Sequence, residues 1–288
     1  MTSRPVRPPL PPGLVAKARE YAAGRREPAE PRDAATVVLL RPGQDGPQVY
    51  LLRRQTSMAF AGGMCVFPGG GVDARDFDAS VAWAGPSRDE WAQRLGADAS
   101  MAGALVCAAV RETFEESGVL LAGPSPDAVV ADTTGDDWEA DRVALESREL
   151  SLTDFLAGRG LVLRTDLLGA WSAWTTPEFE PRRFRTWFFV AELPAGQRTR
   201  DVSSESDEVT WLTPDRALDL SDAGTIGLMP PTYLTLLDLS THPEPRAVLD
   251  SSHDRVVEMF MPTLVDGEAP YLSTPPEYDA RLAARQQA

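Results

Sequence analysis

Apolar residues alternate with polar ones in some stretches of the chain and recur at helical spacing in others. Residues 35–40 and 48–53 are apolar runs separated by a Pro- and Gly-rich turn at 42–47, which predicts a hairpin. Gly62 and Gly63 predict a loop, followed by a short strand at 64–67 and a turn at Gly69, Gly70 and Gly71. Further strands are expected at 119–121, 168–174, 186–193, 209–212 and 256–261. Helical patterns cover 14–23, 87–95 (with Ser87 as N-cap), 102–117, 138–157 and 230–239. Residues 203–208 read as a solvated acidic loop. Strands and helices are interspersed without repeats or a clear linker, so the expectation is an α/β class. The expected organisation is a proline-rich N-terminal segment with a short helix over 1–30, then a single domain over 31–288. That domain would carry helical elaborations at about 138–160 and 230–240.

The helix ending at Gly118 carries the chemistry. At about 100° per residue, Glu112, Glu115 and Glu116 fall within an arc of roughly 100°. Val106, Val110 and Phe114 repeat every fourth residue on the other side. Like charges at these spacings destabilise an isolated helix by about 0.2–0.5 kcal/mol per pair, so folding alone does not call for them. A hard divalent cation does, because it takes several oxygen ligands close together. The plain alternative is a solvated acidic face. Arg111 before the cluster, Gly118 as a C-cap and the glycines upstream weigh against that alternative.

Composition narrows the function classes. With 288 residues, 43% of them apolar, the chain is long enough for a sizeable packed core. A formal net charge of −15 argues against non-specific binding to nucleic acid or to anionic membrane. It would also repel a phosphate ester, so a bound cation and local arginines would have to reverse the sign at a phosphate-binding site. Two cysteines, Cys65 and Cys107, fit a reducing compartment and read as core. With His242 and His253 far off in sequence, they do not make a zinc site. No transmembrane run and no signal peptide are expected.

Residues 111–119 are similar to the second half of the Nudix box, with Thr113 at a position usually aliphatic. Gly70 and Asp76 keep the spacing of its first half, with Asp in place of Glu. Residues 77–110 lie between the halves, 34 residues, far more than the family pattern usually leaves. An insertion is therefore expected at about 77–101. That split resembles the subfamily typified by the peroxisomal coenzyme A diphosphatases, as do segments 52–54, 57–60, 63–70, 72–76, 181–189, 209–214 and 229–233.

The resemblance implies an α/β/α sandwich around a mixed sheet, with helical insertions, and a Mg²⁺ or Mn²⁺ cofactor. It implies Glu112, Glu115, Glu116 and Asp76 as metal ligands, and Arg111 as the residue that orients a glutamate. Glu115, Glu116, Glu205 and Glu208 are the candidate bases. Arg53, Arg54, Arg182, Arg183 and Arg185 are candidate phosphate contacts, and Gly70 is either structural or a further substrate contact. Phe60, Trp174 and Phe179 either stack on the substrate or pack the core. The expected activity is pyrophosphate cleavage in coenzyme A or acyl-CoA, giving 3′,5′-ADP and (acyl)phosphopantetheine. Hydrolysis of ADP-ribose or NADH is an alternative, as is a non-catalytic nucleotide sensor. The relatives end in a peroxisomal tripeptide and this chain ends in Gln287-Ala288, so a cytoplasmic location is expected, with a homodimer left open.

Overall fold

The computed structural model describes residues 10–58 and 61–287. In chain order the larger elements begin with α1 (Pro12–Ala22), β1 (Arg32–Gly43), β2 (Gly46–Arg54), β3 (Met64–Val66) and β4 (Gly69–Gly71). A 3-10 turn at Ala74–Phe77 leads to β5 (Trp83–Ala84), α2 (Arg88–Leu95), α3 (Ala99–Ser117) and β6 (Ala122–Gly123). Then come α4 (Asp136–Glu146), α5 (Leu152–Gly158), β7 (Val162–Arg164), β8 (Leu168–Thr175) and β9 (Phe184–Glu192). The series continues with β10 (Ser206–Leu212), α6 (Pro214–Asp222), β11 (Gly227–Leu228), α7 (Pro230–Leu239) and α8 (Pro245–Ser252).

The chain packs as two compact units. Among the described residues the smaller takes 10–32, Trp174–Arg185 and 259–287; the larger takes those of Asp33–Ala173 and Thr186–Glu258. The single domain expected from residue 31 onward stands beside that division. In the larger unit the strands run β11-β3-β2-β1-β9-β8, with β10 also on β2 and β4 on β1. The β11–β3 pair is parallel and the β1–β2 hairpin antiparallel, so the sheet is mixed. Both residue sets of β1 are buried, Val37 and Leu39 on one face and Val38 and Leu40 on the other. Helices therefore cover the sheet on both sides, the α/β/α arrangement implied by the sequence. Among the described residues no helix is long and apolar enough to cross a membrane.

Helix α3 is buried almost all round rather than along one stripe. Ala102 to Val110 are all inaccessible, and so is Phe114. Its first turn is capped by the Asp98 carboxylate, which accepts from Met101 N at 2.8 Å. It begins three residues before the expected Ala102 because of that cap. Its end is set by Gly118 at φ 73°, where a Cβ would meet Arg200 Nε at 2.7 Å. Thr113 is fully buried at an apolar position because its hydroxyl donates to Ala109 O at 2.7 Å.

The segment between the box halves contributes to the core. Trp91 of α2 is fully buried, meets Phe189 edge-on at 5.8 Å, and α2 packs on α3. Several expected elements differ. Residues 119–121 are buried but not strand, and Ala122–Gly123 pairs with β7 instead. Ser206–Leu212 is a strand from its acidic start, so the solvated loop expected at 203–208 ends at Glu205. Its register places Ser206 opposite Arg54 and Glu208 opposite Arg53, and the opposite charges of the second pair stabilise the pairing.

Candidate active site

Glycines 69–71 do not turn; they form β4, paired with β1 through Ala34↔Gly71, Ala35↔Gly70 and Thr36↔Gly69. What they provide is close approach. A Cβ on Gly70 would sit 2.5 Å from the Glu112 carboxyl atoms, and one on Gly69 would sit 2.5 Å from Ala35 O. The bare backbone lets the last two turns of α3 lie directly on the strand. Gly69 N donates to Glu116 Oε2 at 2.7 Å as a result.

Arg111 lies at the centre of the cluster. Its Nε and Nη2 donate to the two oxygens of Asp76 at 3.0 and 2.9 Å, a bidentate pair between groups that are 7% and 4% exposed. Its Nη1 donates to Glu112 Oε1 at 2.7 Å and to Glu115 Oε2 at 3.2 Å, and its Nη2 reaches Gly71 O at 2.9 Å. Asp76 is fixed in turn by the 3-10 turn, where its Oδ2 accepts from Asp73 N at 2.8 Å. The residue read from sequence as an upstream metal acid therefore has both oxygens on Arg111.

One buried guanidinium faces three carboxylates, and the fourth, Glu116, has a backbone N–H. The charge is under-compensated. Burial raises Glu115 to about 7, with the neighbouring Glu112 adding to the shift and Arg111 opposing it. Burial and then Glu112 hold Glu116 well above the usual carboxylate range. Glu112 is raised as well, by burial, against the pull of Arg111. Acceptor-only oxygens with excess negative charge match the donor chemistry of a hard divalent cation. Among the described residues, no three Asp, Glu, His or Cys side chains converge as a closed ligand set, since Glu112 and Glu115 lean on Arg111.

The other predicted residues fall into two groups. Arg54 Nη2 pairs with Glu205 Oε2 at 2.9 Å, and Arg53 with Glu208 at 3.8 Å, so candidate phosphate contacts and candidate bases face each other across β2 and β10. Arg54 and Glu205 bear electrostatically on Glu116, Arg54 favouring its charged form and Glu205 opposing it. Arg182, Arg183 and Arg185 belong to the smaller unit. Arg183 is buried there and donates to Ala29 O at 2.8 Å and to Thr176 O at 3.1 Å, a structural use of its charge. Trp174 is buried edge-on to Phe260 at 5.2 Å and Phe179 is buried, so both pack the core. Phe60 lies outside the described residues, as do residues 1–9. Cys65 and Cys107 are buried and free, and burial pushes the Cys107 thiol up to about 12.

Sequence reasoning missed two arginines. Arg142 of α4 donates to the backbone carbonyl of Glu115 at 2.7 Å, and Arg200 N donates to Ser117 O at 2.9 Å. Both satisfy carbonyls that the end of α3 leaves without helical partners. The only local signal was the Glu139, Arg142, Glu146 spacing, which reads equally as a surface charge ladder.

A strand-edge glycine run, a buried helix carrying Arg and three Glu, and a Gly C-cap define a site of the Nudix class. The chain matches the NUDT19 Nudix domain over residues 88–239, more than half its length, and belongs to that family. Nudix hydrolase 7 of Caenorhabditis elegans is 28% identical over 214 residues, 73% of this chain and 60% of that protein. The acyl-coenzyme A diphosphatase NUDT19 of Xenopus laevis is 29% identical over 224 residues, 66% of this chain and 58% of that protein. The chain thus spans about three-fifths of the length of these relatives. The crystal structure of a Nudix hydrolase from Alicyclobacillus acidocaldarius superposes with a TM-score of 0.65 and 27% identity, covering 77% of this chain and 96% of that one.

Proposed function

We propose that the chain is a divalent-cation-dependent hydrolase of a diphosphate bridge, and that its substrate is coenzyme A or an acyl-CoA. The products would be 3′,5′-ADP and (acyl)phosphopantetheine. The observation carrying the reaction class is the buried, under-compensated cluster of Glu112, Glu115 and Glu116 against the Gly69–Gly71 strand. The substrate class is supported by the likeness to a relative named acyl-coenzyme A diphosphatase.

Glu112, Glu115 and Glu116 would hold the cation, with Glu112 and Glu115 exchanging an Arg111 contact for it. Nudix hydrolases generally use divalent metals. When bound, the cation supplies charge neutralisation at the diphosphate and a lower pKa for the attacking water. The protein's own groups do the rest. Asp76 fixes Arg111, and Arg111 fixes which way Glu112 and Glu115 point. Gly69 N orients Glu116. A carboxylate poised near neutrality suits proton transfer at working pH, which favours Glu115 as the base, with Glu116 as the alternative. Glu205 and Glu208 are engaged with Arg54 and Arg53, an arrangement in which the arginines are placed to meet phosphate once those pairs open.

The test is a panel of coenzyme A, an acyl-CoA, ADP-ribose and NADH with Mg²⁺ or Mn²⁺, products read by mass spectrometry. Release of 3′,5′-ADP from the first two, with a higher kcat/KM than for the others, is expected. Preference for ADP-ribose or NADH would overturn the substrate class. Binding without cleavage in any cation would overturn the reaction.

A further inference from the structure

Arg142 is 3% exposed and has no place in the expected box. Its Nη1 donates to Glu115 O at 2.7 Å and to Glu146 Oε2 at 2.9 Å, while Nε and Nη2 hold Glu139 Oε1 at 3.0 and 2.7 Å. Each partner leads to a different part of the site. Glu139 Oε2 also takes Arg200 Nη1, and Arg200 N caps Ser117 O. Glu146 Oε1 accepts from Ser204 N at 3.3 Å and from the Ser204 hydroxyl. Ser204 precedes Glu205, whose carboxylate faces Arg54. The loop is held from the other side by Gln55, which donates through its side chain to Ser204 O at 2.9 Å and through its backbone to Glu205 O at 3.0 Å.

We propose that Arg142 is a positioning residue for the acidic cluster, tying the last turn of α3 to the loop that carries Glu205. The inference rests on the hydrolase reading of the site. The argument is geometric. The Glu115 carbonyl is one of the four that a helix end leaves open, and its orientation sets where the Glu115 and Glu116 side chains emerge. A rigid guanidinium fork holds that carbonyl and two glutamates at once, which a lysine's point charge does not reproduce. Helix α4 thereby links two groups that must be placed together.

The test uses the full chain and the variants Arg142→Met, Arg142→Lys and Glu146→Gln. Val248→Ala, a buried truncation in α8, serves as the control for general destabilisation. Three quantities are read: kcat and KM on the best substrate of the panel, Mn²⁺ binding from the free-ion electron paramagnetic resonance signal, and amide exchange over residues 202–205. Arg142→Met is expected to lower kcat about 10- to 100-fold and weaken Mn²⁺ binding about 10-fold, with KM held within about threefold. Exchange over 202–205 is expected to accelerate, and Arg142→Lys to recover part of both losses. Val248→Ala is expected to lower Tm and leave metal binding alone.

Wild-type kcat, Mn²⁺ binding and exchange in Arg142→Met would overturn the proposal. So would equal losses in Val248→Ala at the same drop in Tm. Should Arg142→Met not fold, Glu146→Gln decides: faster exchange with reduced kcat supports the link, and wild-type values for both refute it. A wild-type protein that cleaves nothing defeats the hydrolase reading separately, and unchanged Mn²⁺ binding in Arg142→Met would still count against Arg142.

Discussion

The carboxylates of α3 are read most sharply one residue at a time. Glu116 has burial and Glu112 pressing it toward the protonated form, while the Gly69 N–H and Arg54 favour its charge. Replacing it by glutamine keeps the acceptor for Gly69 N and removes a strained charge. Glu116→Gln is therefore expected to lower kcat by roughly 100-fold or more, while the metal-free protein keeps its Tm or gains a little. Activity assays and thermal melts in chelator check both halves. Glu115 gives a pH dependence. Its folded-state value of about 7 is above that of an exposed glutamate, so the folded protein binds more protons than the unfolded one between the two values. Its contribution to metal-free stability is full below the unfolded value and is lost as pH rises through about 7. Melts in chelator should show Tm falling from pH 5 to pH 8, and Mn²⁺ should restore it at pH 8; a flat profile refutes this reading. The trio and Arg111 were legible in the sequence because helical spacing alone fixes which side chains share a flank. Their burial was not, since it depends on strands distant in sequence.

At the scale of elements, the decisive contact joins the 3-10 turn to α3. Asp76→Asn leaves Arg111 buried with half its strongest pairing gone and is expected to cost about 3 kcal/mol, measurable by urea unfolding. A loss below about 0.5 kcal/mol would mean that Glu112, Glu115 and Gly71 O suffice to hold Arg111. The β1–β2 hairpin, α2 and α3 were readable because period and caps agree there. The strand at 209–212 was readable too, but the start of β10 at 206–208 was not, because Asp207 and Glu208 carry no strand preference and Arg53 opposite Glu208 makes the pairing favourable. Helix α8 was missed although Pro245 stands at its first turn, where proline is welcome. The Gly69–Gly71 strand was read as a turn because glycine marks both turns and close approach, and only Glu112 lying over Gly70 tells them apart.

For the whole molecule the governing quantity is the formal charge of −15. The polyanionic substrate proposed above would approach against that field, so kcat/KM should rise as ionic strength goes from about 0.02 to about 0.15 M, where screening becomes effective over about 8 Å. Stopped-assay kinetics in a salt series at fixed Mg²⁺ check it; a falling kcat/KM would indicate that the arginines around the site outweigh the rest of the surface. The family was legible from the residues of the box even though they are separated. The reason lies in the joint between Asp76 and Arg111. Residues 77–110 form a ring whose seam is that pair of opposite charges, and doubling the circumference of such a ring costs only about 0.6 kcal/mol of chain entropy. Segments of different length can therefore be spliced into the exposed part of the ring at 78–80, away from Trp91 and the buried part of α3, while the two sides of the seam keep their spacing.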